Sequence, residues 1–468
     1  MSFLLLAVLL PLLGGLGLSA FGTSRLGAIV NAVVSAAGFA LTLLVWKSGQ
    51  VTPLAALFGA LSGFVGFTAA LASIWSAGIK ENRSSSRYGY TLFQVLLGLS
   101  LLGLYTDNTG LLWLALAAET VAMALGLSLS GSKSAREAAW AYMLTNGVGM
   151  GLALFGTLLV SLAVIPEAGT MPVITMSFTA LSAQIVHFNQ TWLSLGFIFI
   201  LFGYGIKAAL APLRGWGLGH DAAGPMKLAA TLQGLSAIVA LLAILRFRHL
   251  VQVNVGPHLP MILLLAFATV LLLLAAFTMA GQSGMRRFCG GMASGQMAVS
   301  LFAFGIGGPL AVFGGLLQML LYRLLESGLF LALSAAMAER GCDDSFINLR
   351  GLPQTNKYTG WVLGFTLFAV SGLPPSGLFA SAFMIVRETA LHVPWACLPL
   401  SLGLMLCALP VLRRTAGILF APALATKPQK AGFVVNLAAL HLVLLLVLAF
   451  AMPAPLVHLL TEAAGALQ

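Results

Sequence analysis

The feature that most constrains this chain is a near-unbroken succession of long apolar runs joined by short polar connections. A helix needs about 20 mostly apolar residues to cross the hydrocarbon core of a bilayer. Fourteen segments qualify, at roughly 3–22, 26–46, 52–79, 89–106, 108–130, 136–165, 192–214, 226–247, 260–281, 287–306, 308–337, 359–391, 395–412 and 431–453. Backbone groups in lipid must be satisfied within their own segment, so each run is expected to be helical. The predicted fold class is an all-α integral membrane protein with 14 transmembrane helices. Composition agrees. Charged residues make up 7 % of the 468, against about 25 % in soluble domains, and the mean hydropathy is +1.01. A water-soluble globule is excluded. The cysteines, Cys289, Cys342, Cys397 and Cys407, are too few and too scattered for a disulfide framework or a metal-ligand spacing.

The chain still carries a net charge of +11, from 23 Lys plus Arg against 12 Asp plus Glu. In a soluble protein that excess suggests nucleic acid; in a membrane protein it records orientation. Seventeen of the 23 basic residues fall in connections that follow odd-numbered segments. Four, Lys47, Arg246, Arg248 and Arg387, lie in or beside even-numbered ones, and Lys207 and Arg323 lie within segments. By the positive-inside rule the odd connections are cytoplasmic and both termini face the outer, periplasmic side. An error of one segment would scramble this division. The first segment lacks a basic n-region and runs straight into the second, so it reads as a span and not as a cleaved signal peptide. No stretch is long or polar enough for a soluble domain. The largest outer connection, about 166–191, has room for a short surface helix.

Two segments carry Gly/Pro interruptions. The seventh contains Gly203 to Pro212 (GYGIKAALAP), and the twelfth contains Ser371 to Gly377 (SGLPPSG), with Pro374 and Pro375 at its centre. Proline removes a backbone donor and clashes with the preceding turn. Irregular backbone at membrane depth survives only where protein or a water-filled cavity covers it. The seventh and twelfth segments are each fourth in a block of five, 4–8 and 9–13. Five is odd, so the second block is inverted relative to the first. Paired interruptions in inverted repeats mark a transporter-type site near the midplane. The plain alternative is that Gly and Pro are common kinks in membrane helices. The implied organisation is one membrane domain: three N-terminal helices in 1–80, a first repeat in 85–247, its inverted copy in 260–413 and a C-terminal helix in 414–468.

The stretch Gly203 to Trp216 (GYGIKAALAPLRGW) resembles the lysine-bearing broken helix of the antiporter-like subunits of respiratory complex I and its relatives. The nearest branch is component F of hydrogenase-4-type, energy-converting hydrogenases. Supporting stretches are Thr106 to Trp113, Arg136 to Tyr142, Gly305 to Phe313, Leu349 to Leu352 and Gly372 to Phe379, in the right order over about residues 85–390. The resemblance implies a fold of fourteen helices with two inverted five-helix repeats and proton movement along buried charged residues, driven by electron transfer in a peripheral arm.

Buried ionisable groups in a bilayer cost about 2.5–3.5 kcal/mol each on insertion scales, so each needs a reason. Lys207 matches the family's central lysine. Glu119 lies two residues beyond the expected glutamate position, which is Ala117 here, a rotation of about 200° on an α-helix. It is therefore expected to face away from Lys207, toward a different partner or a neighbouring subunit. In the eleventh segment the family's His, Asn, His and Lys positions read Gln318, Leu321, Tyr322 and Glu326, and Arg323 precedes Glu326 at a spacing that allows pairing. Either the two form a structural ion pair, or Glu326 serves as a charge-reversed relay. The exit residue of the twelfth segment is replaced by Ala382, and the loop after the seventh reads Gly217 to Asp221 with His220 at the inner surface. Tyr204, Gln233, Gln296, Gln318 and Tyr322 are placed to orient waters, and His441 reads as a core histidine.

The resulting expectation is an antiporter-like, proton-translocating type of subunit in a multisubunit redox-linked complex of the bacterial inner membrane, its proton path altered or rerouted. The proton-path candidates are Lys207, Glu119, Glu326, Arg323, Tyr204 and Gln318; the broken-helix prolines are Pro212, Pro374 and Pro375. Partners are other membrane-arm subunits, a hydrophilic peripheral arm and the lipid bilayer, with no nucleic acid. No catalytic, cofactor or metal site is expected in this chain, so any enzymatic role is as a subunit of a redox-driven oxidoreductase. Two alternatives stand beside this: a non-pumping scaffold of the membrane arm, and a membrane partner in proton-driven inorganic-carbon uptake.

Overall fold

Apolar runs of this length have one way to satisfy their backbone in lipid, and the computed structural model is built almost entirely of helices. It describes residues 2–20, 25–76, 88–129, 131–164, 176–183, 188–208, 210, 225–341, 344–423 and 432–467. The helices are α1 (Phe3–Leu18), α2 (Arg25–Ser48), α3 (Pro53–Ser76), α4 (Gly89–Tyr105), α5 (Thr109–Ser128) and α6 (Lys133–Leu162). Then come α7 (Phe178–Ala183), α8 (Gln190–Lys207), α9 (Pro225–Asn254), α10 (His258–Gly281), α11 (Met285–Ile306) and α12 (Pro309–Arg340). The last six are α13 (Leu352–Thr355), α14 (Lys357–Val370), α15 (Gly377–His392), α16 (Cys397–Phe420), α17 (Phe433–Phe450) and α18 (Ala454–Gly465). Among the described residues there is no strand, only three isolated bridges.

Among the described residues ten helices are long and apolar enough to cross a membrane, and α1 and α4 are shorter apolar helices. The protein is a multi-pass, all-helical membrane protein. The expected seventh segment contains α8, and the expected twelfth is split into α14 and α15. The short helix anticipated in the large outer connection is α7, held by Asp107: its carboxylate accepts from the Thr179 amide at 3.2 Å, from Thr179 Oγ1 at 2.9 Å and from Ser177 Oγ.

Helix starts follow the polar residues that precede the apolar runs. Asn108 accepts from the Leu111 amide at 2.9 Å, Ser132 from Ala135 at 3.1 Å and Asn189 from Thr191 at 3.0 Å, each capping otherwise unsatisfied donors. The long α12 is the axis of the second half, buried along most of its length from Ala311 to Glu339 and packed by α3, α9, α11, α14, α15, α17 and α18. In the first half α6 and α8 approach through glycines. A Cβ on Gly203 would lie 2.3 Å from the Ala153 amide nitrogen, and one on Gly156 2.7 Å from the Gly196 carbonyl. Small residues permit such backbone approach where lipid supplies no hydrophobic drive. Helix α8 ends within the Gly203–Pro212 stretch, at Lys207, although Gly203 and Gly205 sit inside it and do not themselves break it. Pro212, His220 and Asp221 lie outside the described residues.

Candidate functional site

Helix α5 buries the stripe Leu112, Ala115, Leu116, Glu119, Thr120 and Met123, the spacing of one helical face. That stripe points Glu119 into the bundle, where it is 1 % exposed. Its Oε2 is 4.0 Å from Lys207 Nζ at the last turn of α8, and Lys207 is 6 % exposed. The sequence expectation that Glu119 faces away from Lys207 is corrected. It counted rotation from Ala117, but Ala117 is only half-buried and the inward face of α5 is centred on 116, 119 and 120. The carboxylate accepts from Ser100 Oγ of α4 at 2.5 Å, and Ser236 of α9 stands beside it. The ammonium donates to Thr120 Oγ1 at 3.0 Å and to Tyr142 OH of α6 at 3.4 Å, with the Tyr142 ring centroid 5.8 Å away. Five helices thus contribute to one charged centre. Its ammonium has a choice of partners, two hydroxyls in direct contact and a carboxylate slightly farther out.

The second charged centre lies on α12. Arg323 Nη1 donates to Glu326 Oε2 across three residues of one helix, and both side chains are buried. Tyr322 OH donates to Glu326 Oε1 at 3.4 Å. Gly234 of α9 packs directly on this pair: a Cβ there would lie 2.0 Å from Arg323 Nη1 and 2.7 Å from Glu326 Oε2. Ser236, two residues on, stands beside Glu119. Helix α9 is therefore the wall between the two centres, with one face on each.

One and two turns before Glu326 on α12 come Tyr322 and Gln318, and Gln318 reaches the break between α14 and α15. Its amide nitrogen donates to Gln296 Oε1 of α11, and Ser381 Oγ of α15 donates to its carbonyl. Gln296 Nε2 in turn donates to the Val370 carbonyl at 3.0 Å, one of those the break strands. Ser376 Oγ donates to Ala369 O at 2.8 Å, and Ser371 Oγ to Phe368 O at 2.6 Å. Pro374 and Pro375 sit at the outside of this turn, exposed.

The structure thus brings Glu119 together with Lys207 and Arg323 together with Glu326, and places Gln318 at the broken helix. Tyr204 is buried one turn before Lys207 but is not among the hydrogen-bond partners of Lys207. His441 is the buried core histidine expected: Nε2 is 3.0 Å from Thr68 Oγ1 and its ring lies 5.1 Å from that of Phe64. Sequence reasoning missed Ser100, Thr120, Tyr142 and Ser236. Hydroxyls in apolar helices also serve as ordinary backbone-bonding residues, as Thr157 and Ser161 do here, so only their helical register could have singled them out. Among the described residues no group of three or more His, Cys, Asp or Glu side chains could hold a metal ion.

The family model described as "NADH:quinone oxidoreductase/Mrp antiporter, TM" matches residues 106–406. The chain is similar to the hydrogenase-4 component F homolog of Methylacidiphilum infernorum (isolate V4), at 33 % identity over 414 residues that cover 85 % of this chain and 86 % of that protein. Among solved structures, a chain of the membrane-bound sulfane sulfur reductase, an archaeal respiratory membrane complex, superposes with a TM-score of 0.86. Its identity is 19 %, and the match covers 100 % of this chain and 98 % of that one. A chain of respiratory complex I from Thermus thermophilus superposes with a TM-score of 0.80 at 21 % identity, covering 99 % of both.

Proposed function

The chain belongs to the NADH:quinone oxidoreductase/Mrp antiporter transmembrane family, and from that membership we propose that it is a proton-translocating subunit with a single switchable centre, Glu119 and Lys207. It works in the membrane arm of a redox-linked complex of the bacterial inner membrane, beside other membrane subunits and a hydrophilic peripheral arm. The names of its relatives, a hydrogenase-4 component F homolog and a chain of complex I, support that setting. In this reading the chain crosses the bilayer fourteen times, with both termini outside and two inverted repeats formed by segments 4–8 and 9–13. The division of basic residues and the break between α14 and α15 support it.

The observation that carries the proposal is the placement of Lys207 between acceptors on two helices, Thr120 and Glu119 of α5 at 3.0 and 4.0 Å and Tyr142 of α6 at 3.4 Å. A lysine held this way changes partner with a small movement of α8 or a change in its own charge, which is what a relay group needs. Arg323 and Glu326 form a permanent dipole behind α9 and do not relay. The test is redox-driven proton uptake by proteoliposomes holding the whole complex. Lys207→Met is expected to abolish uptake while the complex still assembles, and unchanged uptake would refute the proposal. A second reading is favoured by one observation: because Glu326 is locked to Arg323 on its own helix, the second half of the chain acts as scaffold even where the first half moves protons.

A further inference from the structure

A cavity of about 410 Å³ lies between α10, α11, α15 and α16, beside the broken helix. That is within the usual range of ligand sites, about 300–1,000 Å³. Its outer lip is apolar and open: Phe379, Phe383, Met405 and Leu409 line it and are each more than two-fifths exposed. The broken backbone that forms its inner wall has its carbonyls satisfied from within, Val370 by Gln296, Ala369 by Ser376 and Phe368 by Ser371. That wall therefore tolerates an apolar occupant, which unsatisfied carbonyls would not.

One end of the cavity is basic. Its lining includes Met279 near the end of α10 and Leu412 on α16. The next residues on α16 are Arg413 and Arg414, and the connection after α10 leads to Arg286 and Arg287. Arg414 ties the two ends together: its Nη2 donates to the Gln282 carbonyl at 2.6 Å, and its guanidinium lies 4.2 Å from the Phe346 ring centroid. Arg413 and Arg350 are close enough to Arg414 for the three charges to repel one another. Two carboxylates on the adjoining segments, Glu339 and Asp344, accept from neutral donors. Glu339 accepts from Thr359 at 2.7 Å and Asn356 at 2.8 Å, and Asp344 accepts from the Arg286 amide at 2.9 Å. Among the described residues Arg287, Arg350, Arg413 and Arg414 form no ion pair, and Arg287 and Arg413 are exposed.

We propose that this groove is a binding site for an anionic phospholipid, its acyl chain lying in the cavity between α10, α11, α15 and α16 and its phosphate among Arg287, Arg413 and Arg414. Clustered cations at the end of an apolar groove fit an amphiphile with one negative headgroup, and juxtamembrane basic clusters select anionic lipids. The site does not depend on whether the chain moves protons.

Native mass spectrometry of the full chain, purified in mild detergent and stripped of lipid, tests it. The probes are phosphatidylglycerol and phosphatidylcholine with identical acyl chains. Phosphatidylglycerol is expected to bind roughly tenfold more tightly, since the headgroup meets at least two unpaired guanidiniums. Arg287→Gln/Arg413→Gln, at exposed positions outside the core, should erase that preference. Ala408→Phe, which fills the cavity, should weaken both lipids. Equal affinity for the two lipids in the parent protein would overturn the proposal, as would a preference that survives the arginine substitutions. Displacement of bound phosphatidylglycerol by inorganic phosphate alone would also overturn it, because a site for the headgroup without the tail is a different site.

Discussion

Among the described residues the two buried ion pairs differ in where their members are anchored. Glu119 and Lys207 come from α5 and α8, 4.0 Å apart, with hydroxyls from α4, α5, α6 and α9 around them. Arg323 and Glu326 come from one turn of α12. A pair on one helix is held by covalent geometry and cannot part without a change of rotamer. A pair on two helices parts when the helices shift, and here Tyr142 of α6 offers the lysine a partner that does not move with α5. The chemistry of the residues is alike in both places; the anchoring decides which can switch.

The comparison breaks first at Arg323. Arg323→Leu leaves Glu326 buried against Gly234 without its partner, and losing one member of a buried pair costs about 3–5 kcal/mol. A large drop in thermal stability of the solubilised protein is expected. Arg323→Leu/Glu326→Leu should recover most of it, because a buried pair replaced by apolar residues is close to neutral. If the single variant is as stable as the parent, the pair is not structural. A smaller effect sharpens the role of α9. Gly234→Ala puts a methyl into the Arg323–Glu326 contact and should cost about 1–3 kcal/mol by overpacking, read as a lowered midpoint in the same assay. An unchanged midpoint would mean that α9 and α12 are not in the contact described.

Much of the fold was legible in the sequence because lipid leaves the backbone few options. Most apolar runs gave helices within about four residues of their observed bounds, the ends of α8, α9 and α16 departing by seven or eight, and Ser371–Gly377 gave the break between α14 and α15. In the seventh segment the helix ends at Lys207, inside the Gly203–Pro212 stretch, while Gly203 itself serves close packing against Ala153. At the site, Lys207, Arg323 and Glu326 stood out as charges in apolar surroundings. The orientation of Glu119 did not follow from its offset relative to Ala117, though the spacing of 112, 115, 116, 119 and 120 held the answer. Arg246 and Arg248 read as residues at an outer helix end. They lie within α9, and Arg246 donates to the carbonyls of Thr106 and Leu104, whereas Arg248 donates to that of Leu467. Contacts between segments distant in sequence are not written in the periodicity of either one.

The most direct test sets the two centres against each other in one assay, redox-driven proton uptake by proteoliposomes of the intact complex. Two neutralised variants are compared, Glu119→Gln and the double variant Arg323→Gln/Glu326→Gln. The account predicts that Glu119→Gln abolishes uptake and that the double variant retains it close to the parent level once assembly is matched. Retained uptake in Glu119→Gln together with loss in the double variant would place the switch on α12 and contradict the account.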